Sequence, residues 1–428
     1  MKGKKNVSTP QSNLFDELEL PEGWALTKIR DLVTINYGKG LKNANRAGGS
    51  VSVYGSNGIV GSHNKSLTDR PSIIIGRKGS IGEVHYSSNP SWPIDTTYYI
   101  DMFEGIDPIF LVFALKSLNL SDLDTSTAIP GLNRNDIYEQ EIPLPPLVEQ
   151  QRIVARVEAL LTQVNAARER LNRVPLIMKK FRQAVLAAAC SGRLTEEWRE
   201  EKFGDNGIKS DNQSEYSSIL PYNFEMMDEL PKGWASKNLD GTANCRLGKM
   251  LDKIKNQGTL TPYIRNVNVR WFGFDLSDTK EIKIEDYEKD TYSLRSGDVL
   301  ICEGGEPGRC AIWNENGKNY IFQKALHRVR VSDKLLPEFL CYCLKDASES
   351  GYLSDLFTGT TIKHLTGISL KKFPVPLPPL AEQHEIVRRV GLLFERADAI
   401  DREVAAAGRR CERLTQAVLG KAFRGELR

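Results

Sequence analysis

Charged and amide side chains able to grip a nucleic acid cluster in the turn-forming stretches of this sequence. One set is Lys39, Lys42, Asn43 and Arg46, then Asn57, His63, Arg77, Lys78, Asn133 and Arg134. A second set is Lys249, Lys253, Arg265, Asn266, Asn268 and Arg270, then Arg309, Lys363 and His364. Arg, Lys and Asn pair with guanine or adenine edges, and Lys neutralises phosphate. Any one of these residues could equally sit on a solvated surface. Two sets in one chain suggest two reading sites.

Residues suited to bond-making chemistry do not assemble in the same way. No Asn/Asp-Pro-Pro-Tyr/Phe cluster of the methyl-transfer kind occurs, and no nuclease-like Pro-Asp leads to an acidic-x-Lys centre. Glu281-Ile282-Lys283 is a lone match within a charged run and is expected on the surface. Gly76 to Gly82 and Gly304 to Gly308 follow apolar β runs, but no Gly-Lys-Ser/Thr ending follows, so hairpin turns are expected rather than phosphate cradles. The five histidines and seven cysteines lack paired metal spacing, with Cys341 and Cys343 the only close pair. No metal site is expected, and the thiols are expected to be reduced and mostly buried.

The elements that must position the two sets are written twice. Pro145-Pro146-Leu147 and Glu149-Gln150 open a stretch that returns, 233 residues later and without a gap, from Pro378-Pro379-Leu380 and Glu382-Gln383. The first copy carries Ile153, Val157, Leu160, Val164, Ala167, Leu171, Val174, Met178, Phe181, Val185 and Ala188 at alternating spacings of four and three. The second carries Ile386, Val390, Leu393, Ala397, Ile400, Val404, Ala407, Cys411, Leu414, Val418 and then Lys421, where its helix should run out. That is a heptad seam, and each rod of some 36 residues spans about 54 Å. So narrow an apolar stripe needs a partner, and the other copy supplies one. The order of parts favours an antiparallel pair. Pro175 is expected to kink the first rod or break it near Arg173.

Before each rod lies a domain. Leu20-Pro21-Glu22-Gly23-Trp24 returns as Leu230-Pro231-Lys232-Gly233-Trp234 at an offset of 210, so the second domain is longer by 23 residues. Strands are expected at 72–75, 97–100, 298–301, 310–313 and 327–331, with helices at 109–116 and 337–344. The fold class is α/β: two globular mixed-sheet domains separated by two long antiparallel coiled-coil helices in a pseudo-twofold arrangement. The expected segments are a mobile tail over 1–19, domain one over 20–146, rod one over 147–192, a flexible linker over 193–229, domain two over 230–379 and rod two over 380–428. With 428 residues, 40% hydrophobic content, a net charge of +3 and no apolar run long enough to span a membrane, a cytoplasmic globular protein is expected.

This layout resembles the DNA specificity subunit of type I restriction–modification enzymes. The carriers are Leu-Pro-x-Gly-Trp, Pro-Leu-Pro-Pro-Leu-x-Glu-Gln, the long helix and Gln-Ala-Val-Leu, all twice, with Ala128-Ile129-Pro130-Gly131-Leu132-Asn133 and Thr360-Thr361-Ile362-Lys363-His364-Leu365. The resemblance implies a non-catalytic chain with two target recognition domains. Each would read one half of a bipartite duplex site, and the helices would set the gap. It implies docking of two methylase subunits and of restriction/motor subunits. S-adenosylmethionine, ATP and Mg²⁺ would belong to those partners. The alternatives are a structural adaptor that binds protein and a single-chain DNA-modifying enzyme.

Overall fold

A computed structural model describes residues 20–124, 131–204, 230–252, 256–315 and 319–427. The expectations for 1–19, Ala128-Ile129-Pro130, Lys253 and the linker from 205 to 229 lie outside the described residues. The chain divides into two compact units, Met1–Arg173 with Val404–Arg428, and Val174–Glu403.

The first unit contains β1 (Ala25–Lys28), β2 (Asn36–Tyr37), β3 (Val51–Gly55), β4 (Gly58–His63), β5 (Ser72–Gly76), β6 (Val84–Ser87), β7 (Trp92–Pro93), β8 (Thr97–Ile100), α1 (Pro108–Ser117), α2 (Arg134–Tyr138) and β9 (Glu141–Leu144), and it receives the start of α3 (Leu147–Cys190). One sheet has the order β2-β8-β5-β6, a second β4-β3-β7, and β1 pairs with β9. β5 is Ser-Ile-Ile-Ile-Gly with every residue buried, the pattern of a central strand covered on both faces. α1 starts where Pro108 fits the first turn and Asp107 Oδ1 accepts from the Ile109 and Phe110 amides at 2.8 and 2.9 Å. Its run Phe110–Leu115 is wholly buried, which makes it a core helix rather than a surface one.

The second unit contains α4 (Glu196–Phe203), β10 (Ala235–Asn238), β11 (Ala243–Leu247), β12 (Thr259–Ile264), β13 (Val269–Arg270), β14 (Gly273–Phe274), β15 (Lys280–Ile284), α5 (Asp286–Tyr292), β16 (Val299–Cys302), β17 (Cys310–Ile312), β18 (Ile321–Phe322), β19 (Leu326–Val331), α6 (Pro337–Ser350), α7 (Gly367–Lys371) and β20 (Pro374–Leu377), and it holds the start of α8 (Leu380–Phe423). Its sheets run β11-β19-β16-β17 and β15-β12-β18, and β10 pairs with β20. Strand for strand this is the order of the first unit. The parallel pair recurs too, β3 with β7 and β12 with β18. The extra length falls mainly at one place. Ser56 and Asn57 alone join β3 to β4, whereas residues 265–279, with the β13–β14 hairpin, separate β12 from β15.

The proline-rich exits form edge strands. Pro143 pairs with Leu26 and Pro376 with Ser236 in two-stranded ladders, the setting that tolerates a residue without an N–H. Behind each exit a glutamine closes the joint. Gln150 is 1% exposed: its Nε2 donates to Pro145 O at 2.9 Å and its Oε1 accepts from Asp107 N at 2.8 Å. Gln383 repeats this, donating to Pro378 O at 2.9 Å and Lys334 O at 2.8 Å and accepting from Leu336 N at 2.8 Å. Both residues stand in the first turn of their helices and lock domain to helix.

α3 and α8 are each 44 residues long and unbroken. Pro175 lies on the exposed side, and α3 continues through Arg173 without the expected break. In the first unit Ile153 and Val157 share a core with Leu419, Ala422 and Phe423, and Phe423 meets Phe110 edge-on at 5.2 Å. In the second unit Val185, Leu186, Ala189 and Cys190 share a core with Ile386 and Val390. The start of each helix therefore lies beside the end of the other, the antiparallel arrangement expected.

The seam departs from a strict heptad. Ile400 and Leu414 are 44% and 53% exposed, whereas Ala397 and Cys411 are buried. Leu160, Val164, Leu171, Phe181, Leu393, Val404 and Val418 are half-buried. A straight helix drifts about 20° per heptad against a 3.5-residue repeat, and this rotates some apolar positions outward. Polar contacts occupy the gaps: Arg168 Nη2 reaches Thr415 Oγ1 at 3.4 Å, and Arg182 Nη2 joins Asp398 and, at 2.9 Å, Asp401. Lys421 is exposed, but α8 continues to Phe423.

The linker expectation needs a correction at its start. Arg193–Thr195 forms a 3-10 turn and leads into α4. Thr195 Oγ1 and Arg199 Nε donate to Glu382 Oε1 at 2.7 and 3.0 Å, which fixes this segment to α8. The sequence between 193 and 203 is polar, and its partner is a buried carboxylate far away in the chain.

Candidate nucleic-acid interface

The glycine turn after each central strand is a matched pair. Gly76 N donates to Glu83 O at 2.8 Å and Gly82 N to Gly76 O at 2.9 Å. Cys302 N donates to Arg309 O and Gly308 N to Cys302 O at the same distances. Gly82 and Gly308 have φ of +74° and +90°, and an added side chain would strike Leu120 backbone or the Leu353 side chain. These are hairpin turns, as expected, joining the antiparallel pairs β5–β6 and β16–β17.

A second, irregular segment fixes each turn from outside. Leu132 N donates to Arg77 O at 2.9 Å, and Leu365 N to Glu303 O at 2.8 Å. The Leu132 carbonyl accepts from Tyr98 Oη at 2.9 Å, and the Leu365 carbonyl is met by His327 Nε2 at 2.9 Å. Burial pushes the Tyr98 hydroxyl up and the His327 imidazole down, so each remains a neutral donor. Ala128–Asn133 and Thr361–Thr366 matched in the sequence because each carries this buried leucine.

In the first unit two of the expected residues, Arg77 and Arg134, flank Tyr37, which sequence reasoning missed and which is 51% exposed. Arg77 lies 5.1 Å and Arg134 4.9 Å from the centre of its ring. Arg77 Nη1 also donates to Asp95 O at 3.3 Å, and Arg134 Nη1 to Ile35 O at 3.3 Å. Lys78 and Lys39 are exposed, Lys78 bridging to Gly131 through its backbone and Lys39 N donating to Pro93 O at 3.0 Å. A separate group forms at β4. Arg46 Nη1 donates to Asn43 Oδ1 at 3.1 Å and Val60 O at 2.7 Å, and His63 Nδ1 accepts from Ala47 N at 3.1 Å. Lys42 is exposed at the start of this turn, and Asn57 at the β3–β4 tip. Asn133 caps α2 by accepting from Asn135 N at 3.0 Å. Among the described residues no carboxylate is ion-paired with Lys39, Lys42, Arg46, Arg77, Lys78 or Arg134.

The second unit differs, because its basic residues are already engaged. Arg265 Nη2 donates to Asp278 O at 2.6 Å and Asp278 Oδ2 at 2.7 Å. Arg270 pairs with Asp275 at 3.3 Å and Arg309 with Glu306 at 2.8 Å. Lys249 joins Glu288 and, at 3.5 Å, Glu285. Asn266 Oδ1 accepts from Arg309 Nη2 at 2.8 Å, and its Nδ2 donates to Gly304 O. Asn268 is 2% exposed, with its amide bonded to Arg265 N, Asp275 O and Asp278 O. Asn268 thus shapes the inserted loop from inside and presents no edge outward. Lys363 and His364 are exposed beside the turn, with His364 N donating to Thr358 O at 2.9 Å.

Among the described residues no group of three or more His, Cys, Asp or Glu is placed to hold a metal ion, and no helix is long and apolar enough to cross a membrane. None of the seven cysteines forms a disulfide, and six are buried. Burial pushes the Cys302 and Cys245 thiols up to about 11, which keeps them protonated.

A duplicated mixed-sheet domain, each copy built against two shared helices and exposing a variable set of polar turns, defines a protein of the recognition class. The type I restriction modification DNA specificity domain matches residues 21–176 and 231–402, and the chain belongs to that family. It is 32% identical to the type I restriction enzyme EcoBI specificity subunit of Escherichia coli over 83% of this chain and 73% of that protein. It is 30% identical to the EcoKI specificity subunit of Escherichia coli strain K12 over 76% of this chain, a match that spans 66% of that protein. The EcoDI specificity subunit of Escherichia coli is 28% identical over 96% of this chain and 90% of its own length. In fold, the chain is similar to the HsdS subunit from Thermoanaerobacter tengcongensis, with a TM-score of 0.54 at 21% identity over 96% of this chain and 99% of that one. A chain from a structural study of complex assembly in the type I R-M system gives a TM-score of 0.67 at 20% identity over 95% of this chain and 99% of that one.

Proposed function

We propose that this chain is the DNA-reading subunit of a type I restriction–modification complex and that it makes no bond itself. Each domain reads one half of a bipartite duplex target, and the paired helices set the gap between the halves. The observation that carries this reading is the repetition of one sheet order on two helices of equal length, with different side chains at the exposed turns. A repeated scaffold with unlike surfaces suits two unlike half-sites. Equal helices suit a constant gap.

The complex would include two methylase subunits and restriction/motor subunits, and the chain would work in the cytoplasm. S-adenosylmethionine, ATP and Mg²⁺ would be bound by those partners. Seven cysteines without a disulfide fit a reducing compartment. Long-read methylation mapping of cells making this chain with its modification subunit tests the proposal. A motif of two short sequences separated by a fixed unread gap is expected. A continuous motif, or none, overturns it.

A further inference from the structure

The residue that opens the glycine turn is Arg77 in one domain and Glu303 in the other, and its backbone surroundings are the same in both. Arg77 N donates to Thr96 O at 2.9 Å, and Glu303 N to Ala325 O at 3.0 Å. The carbonyls of Arg77 and Glu303 accept from Leu132 and Leu365. Just before Thr96 and Ala325 stand Asp95 and Lys324, both exposed. The facing pair is therefore Arg with Asp in the first domain and Glu with Lys in the second. Charge is inverted at both positions on one scaffold.

The neighbouring bends match as well. Gly38 N donates to Thr97 O and Gly248 N to Leu326 O, and a side chain on either glycine would run into the backbone of Ile94 or Gln323. A backbone fixed at this many points leaves the side chain as the main variable at the turn. Glu303 lines an open concavity of about 370 Å³ with Lys324 and the exposed Met250. Among the described residues no ion pair engages Glu303, in contrast to the nearby Arg309 and Lys249.

We infer that Arg77 and Glu303 are equivalent specificity-determining residues that read opposite edges of a G·C pair. The inference rests on the DNA-reading function proposed above. Arg donates two bonds to guanine O6 and N7, whereas a carboxylate accepts from the cytosine N4 amino group. Domain one then reads a guanine edge in its half-site. Domain two reads a cytosine edge, and it does so without Arg265, which Asp278 occupies.

The test uses the full chain produced with its modification subunit, read by methylation mapping and by binding to duplexes carrying the mapped motif. Glu303→Gln is expected to relax one G·C position in the second half-site by about tenfold or more, the contribution of one base-edge contact. The first half-site and the gap stay unchanged. Arg77→Gln is expected to do the same in the first half-site only. Replacing the guanine of each identified pair by 7-deazaguanine, which lacks the N7 acceptor, weakens binding in half-site one and leaves half-site two unaffected. If Glu303→Gln gives no motif, Glu303→Asp is read instead and must keep the same pair. A wild-type motif retained in Glu303→Gln, a lost or altered pair in Glu303→Asp, or equal 7-deazaguanine sensitivity in both halves overturns the inference. Failure of the wild-type chain to give a bipartite motif sinks the DNA-reading function itself.

Discussion

The indole Nε1 of Trp234 donates to Glu382 Oε2 at 3.0 Å, so the turn that opens the second domain is bonded to the first turn of α8. The same carboxylate, 0% exposed, holds Thr195 and Arg199 through its other oxygen. Removing one partner of a buried, hydrogen-bonded ion pair costs about 3–5 kcal/mol because the other is left uncompensated. Glu382→Ala is expected to destabilise the chain by that order. Among the described residues Glu149, at the corresponding place in α3, pairs only with the exposed Arg152 three residues on. Glu149→Ala is expected to cost under about 1 kcal/mol. Urea midpoints of the two variants check the contrast, and equal losses would contradict it.

Arg265 and Arg77 should respond differently to truncation. Arg77 faces exposed surface with no carboxylate partner among the described residues, and its loss is expected to weaken one half-site by about 1–3 kcal/mol. Arg265 holds Asp278 and so fastens the inserted loop. Arg265→Ala is expected to lower affinity evenly across sequences, with a lower melting temperature. Competition binding with single-base variants of each half-site separates the two behaviours.

Adding about four residues to one helix, between Arg156 and Arg168 for example, turns everything beyond it by roughly 40° and advances it by about 6 Å. The predicted result is a changed gap between half-sites, or loss of assembly, with both half-site sequences retained. Methylation mapping of the insertion variant reads this directly. An altered half-site would contradict the division of labour between helices and domains.

Acid should loosen the second unit through two carboxylates. Arg388 and Arg389 hold Glu385 down to about 2, Arg388 contributing most. The Gln257 amide, then its own backbone amide, holds Glu285 to about 2. Folded values below the ordinary 4.5 mean stability that is fully present above about 4.5 and lost as pH falls toward 2. Thermal melts from pH 7 to 3 should be flat to about pH 5 and then fall. The fall should be shallower in Glu385→Gln.

Much of this architecture was legible because the chain repeats itself. Two ungapped heptad runs can only pair lengthwise, and the central strands announce themselves as uninterrupted apolar runs at 72–75 and 299–301. Other strands were hidden. β15 is Lys-Glu-Ile-Lys-Ile, an alternating edge strand with Ile282 and Ile284 buried, and it resembles a charged surface run until its partner β12 is known. β9 carries one proline in its four residues and β20 two, which propensity disfavours in strands although an edge tolerates them. Chemistry at the turns was the least legible part. Asn268 and Arg265 carry suitable side chains, but whether such groups face outward depends on Asp275 and Asp278, and only folding brings those into contact. Tyr37 gave no signal beyond its type, since the arginines on either side of it come from distant segments.

Phe423 is 0% exposed in the core built by Phe110, Leu111 and Ile153, although more than 260 residues of chain separate it from those partners. On the ribosome the first domain emerges long before the segment that fills its last seat. It must wait, with an apolar socket uncovered, while the second domain is made. Synthesis order and folding order are thus decoupled in this protein, and the last turn of α8 completes the core of the domain made before it.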